Sequence, residues 1–124
     1  MFNRVRGQKY GAKKITTDGY SFASQFEAAL YQWLKLRELN GEISNIKCQE
    51  TCYLTLARII YKPDFSYVDN KTGKKIYAES KGFETSDWRI KRRLWKYYGE
   101  ANLEIYKGSA KNFQLHETII PGSS

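Results

Sequence analysis

The sequence predicts a single α/β domain, and three observations support this prediction. Apolar residues recur at helical spacing over residues 25–40, and a second helical pattern begins at Ser86. Between them, two β-branched and aromatic runs at 61–65 and 76–81 flank a polar turn containing glycine, which is typical of a β-hairpin. A further strand is predicted at 103–106. The chain has 124 residues, which is enough for one hydrophobic core.

The composition indicates a folded protein with a polyanionic partner. Hydrophobic residues make up 41% of the chain and charged residues 27%, as in ordinary globular proteins. The formal net charge of +8 favours nucleic acid as the partner, because a positive field attracts phosphate backbones. No run approaches the roughly 18 consecutive apolar residues of a membrane span, and the start shows no secretory signal pattern. We therefore expect a cytoplasmic protein without a membrane partner.

Few residues are available for zinc binding or for catalysis through histidine. Cys48 and Cys52 are the only cysteines, and His116 is the only histidine. A structural zinc site would need carboxylates to complete four ligands, so we expect two free, half-buried thiols instead. His116 lies in a polar C-terminal stretch and is expected to be solvated. Cys52 also belongs to a strand-like run at 51–56.

The first 22 residues predict a basic arm followed by a hairpin. The arm is basic without periodicity, and Lys9, Lys13 and Lys14 are candidates for contacts with DNA phosphates; a disordered tail is the alternative. Asp18-Gly19 between β-favouring residues predicts a type I′ turn, because both central residues of that turn need positive φ. The predicted layout is one domain in four parts: arm 1–14, hairpin 15–22, core 24–107 and C-terminal tail 108–124.

The first helix carries a glutamate with two alternative roles. Ser24 is the predicted N-cap, and Asn40-Gly41 ends the helix with residues that tolerate the left-handed conformation. Ser24 and Glu27 match a capping box, in which the glutamate side chain bonds the amide of the cap residue. Glu27 also borders the apolar face one turn into the helix, from which it could reach a neighbouring sheet. Helical spacing predicts that this face is formed by Phe26, Leu30, Trp33, Leu34 and Arg37.

Two carboxylates and a lysine form the candidate site. Asp64 follows Pro63 in the first strand of the hairpin, while Glu79 and Lys81 lie two apart in the second and so share one face. A turn near 70–73 would bring Asp64 beside them. Two carboxylates and an ammonium group around one point suit a hard divalent cation and an activated water. Each fragment alone is more often structural, as a turn or a solvated strand face, but their combination favours a nuclease.

The second helix is predicted to have an apolar face and a basic face. Ile90, Leu94 and Tyr97 share the apolar face at helical spacing. Lys91 falls among the aromatic residues of this helix and is expected to point back toward the site, where it would contact DNA. Like charges at helical spacing repel, so a stripe of cations without acids favours a phosphate backbone as its partner. The predicted stripe consists of Arg89, Arg92, Arg93 and Lys96.

The order helix, strand, strand, helix, strand resembles the αβββαβ core of the PD-(D/E)XK (restriction-endonuclease-like) nuclease superfamily, a central mixed sheet flanked by helices. Over residues 9–107 the chain more closely resembles short phage and prophage proteins of that superfamily. The shared motifs are Lys-Tyr-Gly-x-Lys-Lys at 9–14, Ser-x-x-Glu-Ala at 24–28, Gly-Glu-Ile-Ser-Asn at 41–45 and Lys-Gly at 81–82. Motifs similar to those of phage Holliday-junction endonucleases are Pro-Asp-Phe at 63–65, Glu-x-Lys-Gly at 79–82 and Tyr-Lys-Gly-Ser at 106–109.

The resemblance implies a Mg²⁺-dependent endonuclease with four catalytic side chains. Asp64, Glu79 and the backbone carbonyl of Ser80 would hold Mg²⁺, for which Mn²⁺ would substitute. Glu27 would hold a second ion directly or through water, and Lys81 would orient or help deprotonate the attacking water. Ser80 stands where a bulkier residue is usual in the family, which leaves the metal-binding carbonyl in place.

Three functions follow from these residues and this resemblance. The first is a structure-selective DNA endonuclease of a phage or prophage in the host cytoplasm, acting on branched DNA as a Holliday junction resolvase or debranching enzyme. The second is a nicking or sequence-specific nuclease, and the third is a nucleic-acid-binding protein without catalysis. Resolving a junction requires two opposed cuts, so we expect a two-fold homodimer. The hairpin around Asp18-Gly19 is a candidate for exchange between protomers, with ordinary core packing as the alternative.

Overall fold

The structure, a computed structural model, describes residues 15–122. The predicted basic arm, with Lys9, Lys13 and Lys14, lies outside the described residues. In chain order the elements are β1 (Ile15–Thr17), β2 (Tyr20–Phe22), α1 (Gln25–Leu39), β3 (Ile43–Cys48), β4 (Cys52–Tyr53), β5 (Ile60–Tyr61), β6 (Phe65–Asp69), β7 (Lys74–Ser80), α2 (Ser86–Tyr98), β8 (Asn102–Ser109) and β9 (Asn112–Ile119).

Five strands form one mixed sheet in the order β3-β6-β7-β8-β9. β7 and β8 are parallel and are connected through α2, whereas the other neighbouring strands are antiparallel. β1 pairs with β2, and β4 pairs with β5, each as a two-stranded unit of its own. The predicted α/β class and the mixed sheet are confirmed.

The two helices cover opposite faces of this sheet. Alternate residues of β7 show the division, because Ala78 belongs to the core beneath α1 whereas the Tyr77 ring contacts Trp95 of α2 at 5.1 Å between centroids. The core beneath α1 is built from Phe22, Ala28, Leu30, Tyr31, Leu34, Ile43, Phe65, Tyr67, Ala78 and Tyr106. The core beneath α2 is built from Cys52, Leu54, Tyr61, Tyr77, Trp88, Trp95, Leu103, Ile105 and Ile119.

The predicted first helix is confirmed, including the residues that begin and end it. Ser24 has an extended backbone, and its hydroxyl accepts a hydrogen bond from the N–H of Glu27 at 3.0 Å. After the last turn, Gly41 adopts φ +77° and its N–H donates to the Glu38 carbonyl at 3.0 Å. A left-handed glycine in this position satisfies a carbonyl that the helix leaves unpaired.

The predicted hairpin is also confirmed, and it packs on α1 of its own chain. Asp18 and Gly19 have φ values of +54° and +82°, as a type I′ turn requires. Phe22 is buried against Tyr31 with ring centroids 5.0 Å apart, and the Tyr31 hydroxyl donates to Asp18 Oδ2 at 2.9 Å. The hairpin therefore contributes to the core of its own chain.

The segment that precedes the site differs from the prediction. The strand-like run at 51–56 forms only the two-residue β4, which pairs with β5. Tyr61 belongs to β5 and not to the strand that follows Asp64, which begins at Phe65. Pro63 explains the interruption, because proline has no N–H to donate to a neighbouring strand.

The apolar face predicted for α2 is wrong for Ile90 and Tyr97, whereas Leu94 is partly buried and packs against the core beneath this helix. Ile90 and Tyr97 are 61% and 70% exposed, whereas Trp88 and Trp95 are buried against the sheet. The two indole rings bury more apolar area than the predicted residues, so they determine which side of the helix faces the core. The Trp95 Nε1–H also donates to the Ala101 carbonyl at 2.9 Å, which satisfies its polar atom.

The C-terminal tail predicted at 108–124 is wrong over most of its described residues. β8 continues to Ser109, and β9 pairs along its length. β9 is an edge strand whose side chains are mostly exposed, with only Ile119 buried among its residues, so its apolar pattern was too weak to predict a strand. His116 is exposed on β9, as expected of a solvated histidine.

Both cysteines are free, as predicted, with Cys48 half-buried and Cys52 buried. They lie on opposite faces of the sheet, since Cys48 packs against the α1 core and Cys52 belongs to the α2 core. Of the helices in residues 15–122, neither is long and apolar enough to cross a membrane.

Candidate active site

Asp64 and Glu79 meet where the β6–β7 hairpin places them. Phe65 of β6 is paired with Ala78 of β7 in an antiparallel register. The residue before Phe65 and the residue after Ala78 therefore face each other, and these are Asp64 and Glu79. The backbone N–H of Asp64 donates to Glu79 Oε1 at 3.0 Å. The turn of the hairpin closes through Gly73 at φ +73°, as its sequence predicts. The predicted approach of the two carboxylates is therefore confirmed.

Ser80 holds the Asp64 carboxylate in place. Its N–H and its hydroxyl donate to the same oxygen, Asp64 Oδ2, at 2.8 and 2.7 Å. Asp64 is only 9% exposed, and two charge-assisted hydrogen bonds fix its orientation there. The family resemblance implies a role only for the Ser80 carbonyl, and the contacts of the Ser80 hydroxyl and N–H with Asp64 add a second one.

Lys81 shares the site with Glu79, as the two-residue spacing predicts. Its Nζ lies 3.2 Å from Glu79 Oε2 and 4.4 Å from the centroid of the Trp88 ring. Its backbone N–H donates to the Tyr106 carbonyl at 2.9 Å, which anchors the chain as it leaves β7. In this arrangement the ammonium group is the main positive charge beside the carboxylates.

Glu27 reaches the site from α1. The helix uses the Ser24 hydroxyl to cap the Glu27 N–H, and the Glu27 carboxylate turns toward the sheet. Gln49 joins the two elements, because its Nε2 donates to Glu27 Oε2 at 3.3 Å and approaches Asp64 Oδ1 at 3.5 Å. Two roles were predicted for the Glu27 carboxylate, which are a bond to the amide of the cap residue and a reach toward the sheet. The structure brings the carboxylate to the sheet, next to Asp64.

Gln49 is a site residue that the sequence did not predict. It follows β3 with φ +57°, a conformation that side chains disfavour, and its N–H donates to the Asp64 carbonyl at 3.1 Å. Strained backbone of this kind is found at functional sites more often than elsewhere. No spacing or motif in the sequence marks Gln49, since the left-handed conformation arises only when β3 ends beside Asp64.

The carboxylates of Glu27, Asp64 and Glu79 are buried, and the nearby positive charge does not compensate for the cost of burying theirs. Burial, followed by the negative charge of Asp64, raises the pKa of Glu27 to about 7. Burial and the charge of Asp64 also raise the pKa of Glu79, an effect that Lys81 partly offsets. The pKa of Asp64 is raised by burial in spite of its hydrogen bonds from Ser80. Additional positive charge at this point would therefore stabilise the ionised carboxylates.

The donor set fits Mg²⁺. This ion prefers carboxylate and carbonyl oxygens together with water, and Asp64, Glu79 and the Ser80 carbonyl offer such oxygens from adjacent positions, with Glu27 beside them. The Gln49 amide and the Lys81 ammonium group already direct positive charge at these oxygens. Within residues 15–122, no three His, Cys, Asp or Glu side chains are already arranged as a metal centre.

The basic residues of α2 line an open groove of about 520 Å³ between this helix and β9. The predicted stripe is present, but it is not free of acids, because Arg92 forms an ion pair through two nitrogens with Glu117 of β9. Lys91 was predicted to point toward the site, and its ammonium group instead lies 3.2 Å from Asp87 Oδ2, one turn earlier. The cations that line the groove are Arg89, Arg92, Arg93 and Lys96.

An exposed aromatic side chain stands next to the site, in the loop between β7 and α2. Phe83 is 81% exposed and follows Lys81 by two residues. The loop is anchored beyond it, since Lys107 Nζ lies 2.5 Å from Glu84 Oε2 and Thr85 caps α2. Phe83 therefore precedes an anchored part of the chain, and its ring contacts solvent.

Comparison with known proteins places the chain in a family. No curated protein matches the sequence. The profile of one family, described as "Protein of unknown function (DUF1064)", matches residues 7–114. That range contains α1, the β6–β7 hairpin, α2 and every residue of the candidate site. The chain belongs to the DUF1064 family.

Proposed function

We propose that this protein is a Mg²⁺-dependent, structure-selective DNA endonuclease with a PD-(D/E)XK core. One observation carries the proposal: Asp64, Glu79 and Lys81 converge at the end of two paired strands and are held there by hydrogen bonds. Burying acidic groups destabilises a fold, so a cluster of buried carboxylates indicates a function that requires them. Glu27 adds a third carboxylate from α1.

The element order supports the same proposal. The sequence of α1, β3, β6, β7, α2 and β8 follows the αβββαβ order that the resemblance implies. The β4–β5 hairpin is inserted before β6, and β9 is added at the edge. Neither addition separates the elements that carry the candidate site.

In the proposed reaction, a water oxygen forms a bond to phosphorus, one ester P–O bond breaks, and a proton from the water reaches the leaving oxygen. Bound Mg²⁺ would supply positive charge to the phosphate. Asp64 and Glu79 would hold that ion, and Ser80 keeps Asp64 in one orientation. Lys81 turns its ammonium group from Glu79 toward the attacking water and helps to orient it. Glu27 would bind a second ion directly or through water.

DNA is the proposed partner, and the groove beside α2 is its proposed contact surface. Arg89 and Arg93 are exposed there, and neither has an ion-pair partner among residues 15–122. Phosphate contacts of this kind position a backbone without reading its sequence. Lys9, Lys13 and Lys14 are proposed as further phosphate contacts.

A branched substrate and a homodimer complete the proposal. Two cuts on opposed strands resolve a four-way junction. A two-fold dimer has two active sites, and its symmetry matches that of the junction. The proposed role is that of a Holliday junction resolvase or debranching enzyme acting in the cytoplasm of a phage-infected or prophage-carrying cell. Light scattering of the protein alone and with a junction would test the dimer.

The decisive experiment compares a four-way junction with the corresponding linear duplex, each strand labelled in turn. We expect cuts on opposed junction strands in Mg²⁺ or Mn²⁺, much weaker cleavage of the duplex, and none in EDTA. Cleavage in EDTA would contradict the metal mechanism. Cleavage of the duplex at one sequence or on one strand would favour a sequence-specific or nicking enzyme, and binding without any cleavage would favour a non-catalytic protein.

Phe83 provides a test of structural selectivity. A base that is unpaired at a branch can stack on an exposed ring, which is worth about 1–3 kcal/mol per base, whereas a base inside a duplex cannot. We expect Phe83→Ala to lower junction cleavage roughly tenfold and to change duplex binding little, and Phe83→Trp to retain activity. Leu56→Ala is the control, since Leu56 is also a large exposed apolar side chain but lies in the β4–β5 turn. An equal effect of Phe83→Ala on junction and duplex would contradict stacking.

A further inference from the structure

The groove between α2 and β9 is lined by two ring side chains as well as by cations. Tyr97 of α2 is 70% exposed and lines the groove, and His116 lines it from β9. Tyr97 follows Arg93 by four residues, and residues four apart are neighbours on the surface of a helix. The phenol ring therefore lies beside the basic residues of α2 and not in the core.

A β-bulge places the ring of His116 in this groove. Ile105 is paired with Glu117 and Tyr106 with Leu115, so His116 is the extra residue of β9 at this point. Successive side chains of a regular strand point to opposite faces of the sheet, whereas His116 and Glu117 both line the groove. The bulge therefore brings the imidazole ring to the same side as the cations of α2.

The two walls of the groove are held together, and one end of the chain segment that lines it leads to the candidate site. Arg92 of α2 donates to Glu117 of β9 through two nitrogens, which joins the helix to the strand. Glu84 also lines the groove, and it follows Lys81 by three residues in the loop between β7 and α2. The exposed ring of Phe83 lies in the same loop. This loop therefore connects the groove to the candidate site.

Cations beside exposed rings suit an unpaired DNA strand better than a duplex. Phosphates of either form are attracted to cations, but only an unpaired base has a face free to stack on a ring. The groove has a volume of about 520 Å³, within the range of roughly 300–1,000 Å³ that is typical of sites for small ligands. A site of this size can enclose nucleotides of a single strand, whereas a duplex has to contact it from outside.

We infer that this groove binds an unpaired strand of the DNA substrate, with a base stacked on Tyr97 and phosphates contacted by Arg89 and Arg93. The inference rests on the proposed function and narrows its substrate class to branched DNA that carries a single-stranded arm beside the branch. His116 offers a second ring from the opposite wall. Arg89 and Arg93 attract duplex phosphates as well, so the Tyr97 ring, and not the charge, distinguishes the two forms.

The test is Tyr97→Ala in the full chain, measured by fluorescence anisotropy in EDTA so that no strand is cut. The probes are a labelled run of thymidines, which forms no internal pairs, and a labelled duplex of the same length. We expect the variant to bind the single strand roughly tenfold more weakly than the wild-type protein does, the usual size of the effect of losing one stacked base. Duplex affinity and both salt slopes should stay the same, because no charge is lost. Tyr97→Phe keeps the ring and should bind as the wild type does.

Tyr53→Ala is the matched control. Tyr53 is also an exposed tyrosine beside an arginine, since the Arg58 guanidinium lies 4.2 Å from the centroid of its ring, but it belongs to β4, outside the groove. Its replacement should change neither affinity. Unchanged single-strand binding by Tyr97→Ala, or an equal loss for single strand and duplex, would overturn the inference and leave the cleavage mechanism intact. A wild-type protein that binds neither probe and cleaves no DNA would overturn the proposed function and the inference together.

Discussion

Replacing Asp64 with asparagine is expected to reduce metal-dependent cleavage by at least about 100-fold. Asparagine keeps the shape of the side chain, and its amide oxygen can still accept from Ser80, but it removes the negative charge that a divalent cation requires. Glu79→Gln and Lys81→Met should have effects of similar size. Single-turnover cleavage of a labelled junction at saturating protein measures the loss without contributions from product release.

The same Asp64→Asn variant should be at least as stable as the wild-type protein when metal is absent. Burial and neighbouring carboxylates disfavour the Asp64 charge, so its removal relieves repulsion in the fold. Asp69→Asn is the matched control, since Asp69 lies at the far end of β6 and bonds only within its turn. Full cleavage by Asp64→Asn would contradict the proposed mechanism, and a loss of folding would show that the carboxylate is structural.

Those parts of the fold that depend on local chemistry could be predicted from the sequence. The Asp18-Gly19 turn and the first helix with its ends at Ser24 and Gly41 all formed as predicted. In each case the backbone conformation is determined within a few residues, either by a positive φ or by a side chain that caps a nearby amide. The approach of Asp64 to Glu79 follows equally from the register of one hairpin.

The errors share a physical cause, which is competition between distant segments. Helical spacing alone could not decide whether Ile90 or Trp88 faces the core of α2, because the sheet beneath selects the larger rings. The edge strand β9 obtains its hydrogen bonds from β8 and needs little apolar pattern of its own. Arg92 is paired with Glu117 for the same reason, since β9 brings the acid to the groove.

The candidate site shows the same limit. Its carboxylates and lysine could be selected from the sequence because two strands and one turn bring them together. Gln49 could not, because it reaches the site from a separate segment whose position depends on the assembled sheet. Its surroundings, rather than its spacing, indicate a role, because its amide group bridges two carboxylates.

Reversing the charges of Arg89 and Arg93 is expected to weaken DNA binding roughly tenfold or more, by similar factors for junction and duplex and for all sequences. Contacts with phosphates release bound counterions, so each lost contact should also reduce the slope of log affinity against log salt concentration by about one. The measurement is a salt titration of binding by anisotropy, with Asp64→Asn in every protein so that the substrate stays intact.

Arg92 is left unchanged in this experiment because it forms an ion pair with Glu117. Reversing its charge would place two carboxylates side by side, and a loss of stability could then be mistaken for a loss of binding. Lys71→Glu with Lys74→Glu is the matched control, since it reverses one charge in the turn of the β6–β7 hairpin and one at the first residue of β7, at the far end from the site. If both double variants have the same small effect, the groove is only solvated. The contacts with phosphate would then have to come from Lys9, Lys13 and Lys14, and deletion of residues 1–14 should abolish the salt dependence that the groove variants retain.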